Sequence, residues 1–459
     1  MVVGEVADRT DVVVVGGGPG GYEAAVRLTE HGKRVVLVER DAVGGVCLNL
    51  GCIPSKALIH QAEIAQLARS DHHAGLAVSV DLDPVAMLAH RRSVVAGLTD
   101  GVRGLLATAG VETWQGSARF ARADRLVVEH DGNVKHLEFD SCVLAVGSRP
   151  VALDGFEPGR HESVEVFDST GALALDQIPG SLVVIGGGYI GVELGTAYAK
   201  LGSSVTIVEM SDRLLPGMDP ALGRGVRRRL DDLGVETLSN SRAQSISGDQ
   251  VIVSDSAGNR SLTTEVVIVA VGRIPNTDLI NLGAAGITAT DRGLLDVEPN
   301  RRVRGQIYGI GDITAGPALA HKATAEASVV ADAIAGLPAA FDPAAIPEVV
   351  FSDPEVASIG LTPALAKAQG SGARSTRIAL ASNGRARTLG NSAGFVQIVV
   401  DGEETVVGAQ LAGHGVSELI GELGLAIEMA ATVTDLAATI HPHPTLSEAI
   451  MEAARALSE

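Results

Sequence analysis

No uninterrupted apolar run in this 459-residue chain approaches the ~20 residues a membrane helix needs, which excludes a membrane-spanning protein. Its hydropathy comes from Ala and Val, interrupted by 55 glycines. Basic residues are scarce: 36 Lys and Arg stand against 55 Asp and Glu, a net charge of −19. Nucleic acid and anionic lipid are bound mainly through Lys and Arg, so neither is an expected partner. The only dense basic cluster, Arg224, Arg227, Arg228 and Arg229, reads as the polar face of a helix. Cysteine is scarcer still, at positions 47, 52 and 142, too few for a secreted disulfide framework. Met1 to Asp11 lacks the basic and apolar regions of a signal peptide, and it is too short and acidic for a transit peptide. A cytoplasmic location is the expectation.

A chain of this length divides into about two to four domains and buries a large core without staples or metals. Its first strong pattern is Asp11-Val-Val-Val-Val15 entering Gly16-Gly-Gly-Pro-Gly-Gly21. A helix from Tyr22 to Glu30 and a strand over Val35–Val38, ending at Glu39, are predicted next. Gly16, Gly18 and Gly21 occupy the G-x-G-x-x-G positions of a dinucleotide-binding turn. The pattern recurs in Leu182-Val-Val-Ile185, Gly186-Gly-Gly-Tyr-Ile-Gly191 and Val205-Thr-Ile-Val208, ending at Glu209. Gly16 and Gly186 stand 170 positions apart, as do Glu39 and Glu209. One such turn is weak evidence, but two with an acid at the same offset predict two nucleotide-binding units. The glycines allow a tight turn and close approach to a pyrophosphate, which the helix N-terminus attracts. Each Glu is placed to accept from ribose hydroxyls, and Glu209 disfavours a 2′-phosphate, hence NAD over NADP. Arg213 lies close enough in sequence to leave that choice open.

Val143–Arg149 and Val267–Arg273 resemble strand ends abutting a nucleotide fold, with Pro150 and Pro275 as breakers at domain seams. Ile307-Tyr-Gly-Ile-Gly-Asp312 reads as a further short strand ending in Gly-Asp, where a carboxylate can reach a ligand hydroxyl. Taken alone, an Asp in an ordinary turn is the plainer reading. Pro338, Pro343 and Pro347 suggest a boundary near 345. Beyond it, Phe395–Val400 and Val406–Leu411 read as antiparallel strands around Asp401-Gly402. Helices over 416–431 and about 445–457 complete an α+β domain.

The string Gly44-Gly-Val-Cys47-Leu-Asn-Leu-Gly-Cys52-Ile-Pro-Ser-Lys56 follows the first acid and would lie against the first nucleotide. Residues five apart in an ideal helix have Cα atoms roughly 8–9 Å apart. A disulfide needs about 4.4–6.8 Å. Bridging Cys47 to Cys52 therefore demands a distorted segment, which Gly51 is placed to allow, and strain favours a reducible bond. Lys56 shares a helix face with Cys52 if a helix starts near Pro54, and a cation and helix N-terminus there would favour the thiolate. Two buried cysteines or half a metal site are the rival readings, although no second Cys pair or spaced His supports a metal. Cys142 reads as core. Near the end, His441-Pro-His443-Pro-Thr-Leu-Ser-Glu448 offers a base and a carboxylate able to fix its tautomer. In isolation such a pair is more often surface decoration.

Taken together, these motifs resemble the class I pyridine nucleotide-disulfide oxidoreductases, and within them the branch that oxidises dihydrolipoamide. The likeness covers the whole chain and includes Leu319-Ala-His-Lys322; the cysteine string is its most specific part. The resemblance implies an α/β fold of two Rossmann-like dinucleotide-binding domains plus a C-terminal α+β dimerisation domain. Residues 1–150 would bind FAD, 151–275 NAD, 276–345 complete the FAD domain, and 346–459 form the interface. FAD would contact Gly16, Gly18, Gly21, Glu39, Lys56, Gly116, Gly147, Asp312 and Ala320; NAD would contact Gly186, Gly188, Gly191, Glu209 and Gly272. Cys47 would meet substrate, Cys52 would lie over the flavin, and Lys56 would pair with Glu193 beside it. In a homodimer, His443 and Glu448 would complete the other subunit's disulfide site, and a lipoyl-bearing acyltransferase or carrier protein would be the partner. Val46 and Pro442 stand where many members have Thr and Ala, and neither change removes a reacting group. An NAD(P)H-dependent disulfide or metal reductase is the nearest alternative. Glu209 and a cysteine-free tail from Ala454 argue against it. A non-catalytic docking flavoprotein would be expected to have lost one of Cys47, Cys52, His443 or Glu448.

Overall fold

Val12 to Val15 are buried on both faces, as the central strand of a parallel sheet must be. The computed structural model describes residues 7–69, 75, 78–370 and 372–458, so part of the Met1–Asp11 stretch lies outside the described residues. Ala7–Val15 pairs in parallel with Val35–Glu39 on one side and Asn133–Leu144 on the other. Glu112–Gln115 extends one flank and Ile307–Gly309 the other. Strand order therefore reverses beside Ala7–Val15, and ligands of open α/β sheets bind at the carboxyl ends of strands at such a point. The following helix spans Pro19–Glu30, three residues earlier than the sequence suggests. Pro19 fixes its own φ for the first turn and needs no N–H there.

The second sheet repeats the plan. Ser181–Ile185 lies between Ser204–Val208 and Val266–Val269, all parallel, and Tyr189–Leu201 is the helix after its glycine turn. The C-terminal part is a five-stranded antiparallel sheet in which Phe395–Val400 and Val406–Ala412 are neighbours. Helices Val416–Glu428 and Glu448–Ser458 cover it with Leu423, Ile450 and Ala453 among the buried residues. Both helices are shorter than expected. Ala430 adopts φ +50° and Ala431 N–H reaches back to Ala426 O at 2.8 Å, which ends the first. At the second, the Glu448 side chain turns back to accept from Thr445 N–H, so 445–447 form its entry turn. Among the described residues no helix is long and apolar enough to cross a membrane.

Two compact units result. One comprises the chain up to Ala57, Ala86–Val151 and Gly272–Asp342; the other comprises Leu58–Val85, Ala152–Val271 and the chain from Pro343.

Within the second unit the arginine cluster does more than face solvent. It lies on helix Pro220–Asp232, where Arg227 pairs with Asp231 at 2.9 Å. Arg229 instead reaches Asp353 at 2.9 Å, and the buried Lys200 reaches the same carboxylate at 3.0 Å. Burial acts to raise the Asp353 pKa, but the two cations together hold it below the usual carboxylate range. Asp353→Ala is expected to cost about 3 kcal/mol by leaving the buried Lys200 with only the longer 3.9 Å contact to Glu63, read as a lower denaturant midpoint. Because the folded pKa is depressed, this contribution is present at neutral pH and lost as pH falls through it. The wild-type advantage over the variant should therefore shrink in acid.

Candidate active site

Of the three G-x-G-x-x-G positions in each turn, the chain itself requires glycine at the first and third but not at the second. Gly16 has φ +102°, and a Cβ there would lie 2.3 Å from Ala145 O; one on Gly21 would lie 1.8 Å from Gly16 O. The second turn matches, with Gly186 2.4 Å from Ala270 O and Gly191 1.9 Å from Gly186 O. At the middle positions the space is open. The nearest atom to a Gly18 Cβ would be Gly45 Cα at 4.0 Å, and nothing lies within 4 Å at Gly188. Gly18 and Gly188 are also the N-caps of their helices, with no side-chain cap bond. Open space, bare backbone and helix N-termini together fit the pyrophosphate of a dinucleotide.

The two acids are held alike. Glu39 accepts from Gly17 N–H at 2.6 Å and Asp41 N–H at 2.8 Å; Glu209 accepts from Gly187 and Ser211 N–H, both at 2.6 Å. A carboxylate retains lone pairs beyond these for ribose hydroxyls. Arg213 turns to Asp212 and Pro216 O rather than to Glu209, so its guanidinium does not offset that acid. Around the first turn, Gly116 N–H donates to Glu39 O at 2.9 Å, and Gly147 O accepts from Asn276 N–H at 2.9 Å. Asp312 lies just past strand Ile307–Gly309, and Ala320 opens helix Ala320–Ile334. In the second unit, Glu193 is buried on helix Tyr189–Leu201 and accepts from Phe351 N–H at 2.9 Å. Gly272, φ +128°, accepts from Val151 N–H where the chain re-enters the first unit.

The cysteine segment hangs from the first turn. Gly44 N–H donates to Gly17 O at 2.7 Å, and a Cβ on Gly45 would lie 2.6 Å from Gly18 Cα. Cys47 lies in the short helix Gly45–Leu50 and Cys52 begins helix Cys52–Arg69, two residues before the expected start. Between them Gly51 adopts φ −136°, ψ −98°, the break that a five-residue pairing requires. Asn49, which the sequence does not single out, pins the short helix by donating to Val43 O and Gly45 O and accepting from Thr99. The Cys47 thiol donates to Cys52; that bond and burial push its pKa up, and Lys56 opposes them without prevailing. Cys47 is thus held on the thiol side. Cys142 is fully buried between strands, and burial pushes its thiol up.

His443 Nδ1 lies 2.8 Å from Glu448 Oε1, and Thr445 N–H donates to Oε2 at 2.9 Å. The backbone bond and the imidazole hold Glu448 below the usual carboxylate range. An anionic Glu448 requires the proton on Nδ1, leaving Nε2 as the basic nitrogen. The imidazole is 79% exposed although its carboxylate is only 16% exposed, so the base faces outward. A second His–Glu pair, His441 with Glu422 at 2.8 Å, escaped the sequence reading because 19 residues separate its members.

Two dinucleotide cradles, one carrying a close pair of cysteines, define a flavoprotein disulfide oxidoreductase. Residues 10–327 match the pyridine nucleotide-disulphide oxidoreductase family and 346–454 match its dimerisation domain. The chain belongs to that family, whose members use FAD and NAD, and the dimerisation domain implies a homodimer. It is 45% identical to a dihydrolipoyl dehydrogenase of Halobacterium salinarum and 44% identical to one of Geobacillus stearothermophilus; each alignment covers 99% of this chain and 97% of the relative. Among solved structures, LpdA from Mycobacterium tuberculosis superposes with a TM-score of 0.90 at 28% identity, covering 98% of this chain and all of that one. The HOCl-induced flavoprotein disulfide reductase RclA from Escherichia coli gives 0.86 at 27%, with coverage of 97% and 99%.

The glycine geometry makes a split prediction. Gly18→Ala should fold normally and bind FAD at least tenfold more weakly, because its methyl enters the space left for the ligand. Gly21→Ala should fail to form the first unit. Flavin content and the circular dichroism of the two purified variants distinguish the cases.

Proposed function

We propose that the protein oxidises dihydrolipoyl groups to lipoyl with reduction of NAD+, serving a 2-oxo-acid dehydrogenase or glycine cleavage complex. The observation that carries this reading is the Cys47–Cys52 pair hung from the first glycine turn by Gly44 and Gly45. The substrate class follows from dihydrolipoyl dehydrogenases 42–45% identical along 99% of the chain. The lipoyl-bearing partner is proposed on the same ground. Glu209, bound by two backbone N–H groups and not neutralised by Arg213, supports NAD.

In the proposed reaction, Nε2 of His443 takes the proton of one substrate thiol. The thiolate attacks Sγ of Cys47 in the oxidised pair; the Cys47–Cys52 bond breaks and Cys52 leaves as thiolate. The second substrate thiol then attacks the substrate sulfur held in the mixed disulfide, closing the lipoyl ring; its proton passes to the departing Cys47 sulfur, and the proton taken first by His443 is released to solvent. Substrate loses two electrons and the cysteine pair gains them. Bound FAD supplies a two-electron carrier between that dithiol and NAD+. Gly16, Gly18, Gly21, Glu39, Gly116, Gly147, Asp312 and Ala320 would hold it, with Lys56 and Glu193 paired beside its reactive ring. Gly186, Gly188, Gly191, Glu209 and Gly272 would hold NAD. His443 and Glu448 would serve the disulfide site of the second subunit.

The test is NADH formation from dihydrolipoamide by purified FAD-loaded protein, with NADP+ in parallel. Turnover with NAD+ alone is expected. Silence with both would overturn the substrate assignment and favour another disulfide or metal substrate. Cys47→Ser should abolish turnover while FAD stays bound. His443→Gln should lower kcat at least ~10²-fold, and near-normal rates would place the base elsewhere.

A further inference from the structure

We propose that Ser148 is a positioning residue for the flavin, acting through Asp312, and that Arg273 sets the direction of its hydroxyl. The proposal rests on the reading of Asp312 as a flavin ligand. Ser148 is 3% exposed and begins strand Ser148–Pro150, which pairs antiparallel with Arg273–Pro275. Arg273 Nε donates to Ser148 Oγ at 2.8 Å, and Nη2 donates to Ser148 O at 2.5 Å. A guanidinium has no lone pair with which to accept, so the hydroxyl accepts from it. The single hydroxyl hydrogen then goes to Asp312 Oδ2, 2.5 Å away. Chemistry alone thus fixes the polarity of the chain: guanidinium to hydroxyl to carboxylate. A cation at one end polarises the hydroxyl and strengthens its bond to the carboxylate at the other. Asp312 is held in one rotation, with its remaining lone pairs aimed the same way whether or not a ligand is bound.

The backbone beneath Asp312 has a separate support. Gly311 N–H donates to the fully buried Glu326 at 2.6 Å, while Lys322 Nζ donates to Gly311 O at 3.0 Å and to Thr314 Oγ1 at 2.8 Å. Arg301 completes that cluster by donating to Glu326 at 3.0 Å. The turn should therefore persist without Ser148, and only the aim of the carboxylate should be lost. Ser148 lies 125 positions from Arg273 and 164 from Asp312, so the fold alone brings the three side chains together.

A double-mutant cycle in the full chain tests this, reading FAD affinity by titration of apoprotein and the melting temperature of the apoprotein. Ser148→Ala should weaken FAD binding about tenfold, the size of a lost hydrogen bond to a charged group, with the apoprotein melting temperature unchanged. In an Asp312→Asn background the same substitution should add less than about twofold, since its effect runs through the carboxylate. Arg273→Met, at a less buried position, should follow the same pattern with a smaller loss. Equal losses in both backgrounds, or no loss in the otherwise unaltered chain, would overturn the proposal. Unchanged FAD binding in Asp312→Asn alone would instead remove the reading of Asp312 on which it rests.

Discussion

The contact between the third and first glycines of each turn, too close for any Cβ, is the constraint from which the rest of each nucleotide unit follows. At 1.8 Å and 1.9 Å from the carbonyls of Gly16 and Gly186, a methyl group on Gly21 or Gly191 has nowhere to go. The contact seats the helix on the end of its strand and leaves the helix N-terminus open beside Gly18 or Gly188. The intervening peptide then becomes a junction. In both turns its N–H binds the acid at the end of the second strand, Glu39 or Glu209. Its carbonyl is where the two units part company. Gly187 O accepts from Leu215 in an ordinary loop, whereas Gly17 O accepts from Gly44 and so carries the cysteine segment. One hydrogen bond at equivalent positions separates a plain nucleotide cradle from one that also holds redox chemistry.

Much of this was legible in the sequence because it is local. Valine runs, glycine spacing and acids at matched offsets each depend on residues within about 30 positions, and the strands and both nucleotide turns lie where those patterns put them. Element ends were less legible. The helix from Val416 stops at Glu428 because Ala430 takes a left-handed conformation, which nothing about an alanine announces. Long-range polar contacts were not legible at all. Ser148, Arg273 and Asp312 come from three separate segments, and Asp353 meets Lys200 and Arg229 across more than 120 residues of chain. Such contacts leave no periodicity, and their residue types are common everywhere.

The cysteine pair shows the two kinds of information meeting. Spacing alone required a distorted segment, and the break at Gly51 supplies it. A lysine four residues on suggested a thiolate at Cys52, and in the structure it is Cys47 whose pKa is raised. Burial and the bond to Cys52 keep Cys47 protonated despite Lys56. A pair in which one sulfur keeps its proton and the other accepts from it is already differentiated before any ligand arrives. That asymmetry suits a relay in which one sulfur meets substrate and the other passes electrons on.

The acid–base half is differentiated in the same way, by backbone first and side chain second. Glu448 is fixed by Thr445 N–H, a contact within the entry turn of its own helix, and only then does it orient His443. Nothing from another chain is needed to set the tautomer or to keep the carboxylate anionic. The imidazole is nevertheless left four-fifths exposed, an unusual position for a base whose carboxylate is so well sheltered. In the proposed reaction, a preformed base facing outward on a dimerisation domain would be half of a site, and the cysteine pair of the second subunit would be the other half. Association in the proposed homodimer would then bring together two finished parts rather than fold either one. The ordering cost of the catalytic geometry would already be met within each subunit.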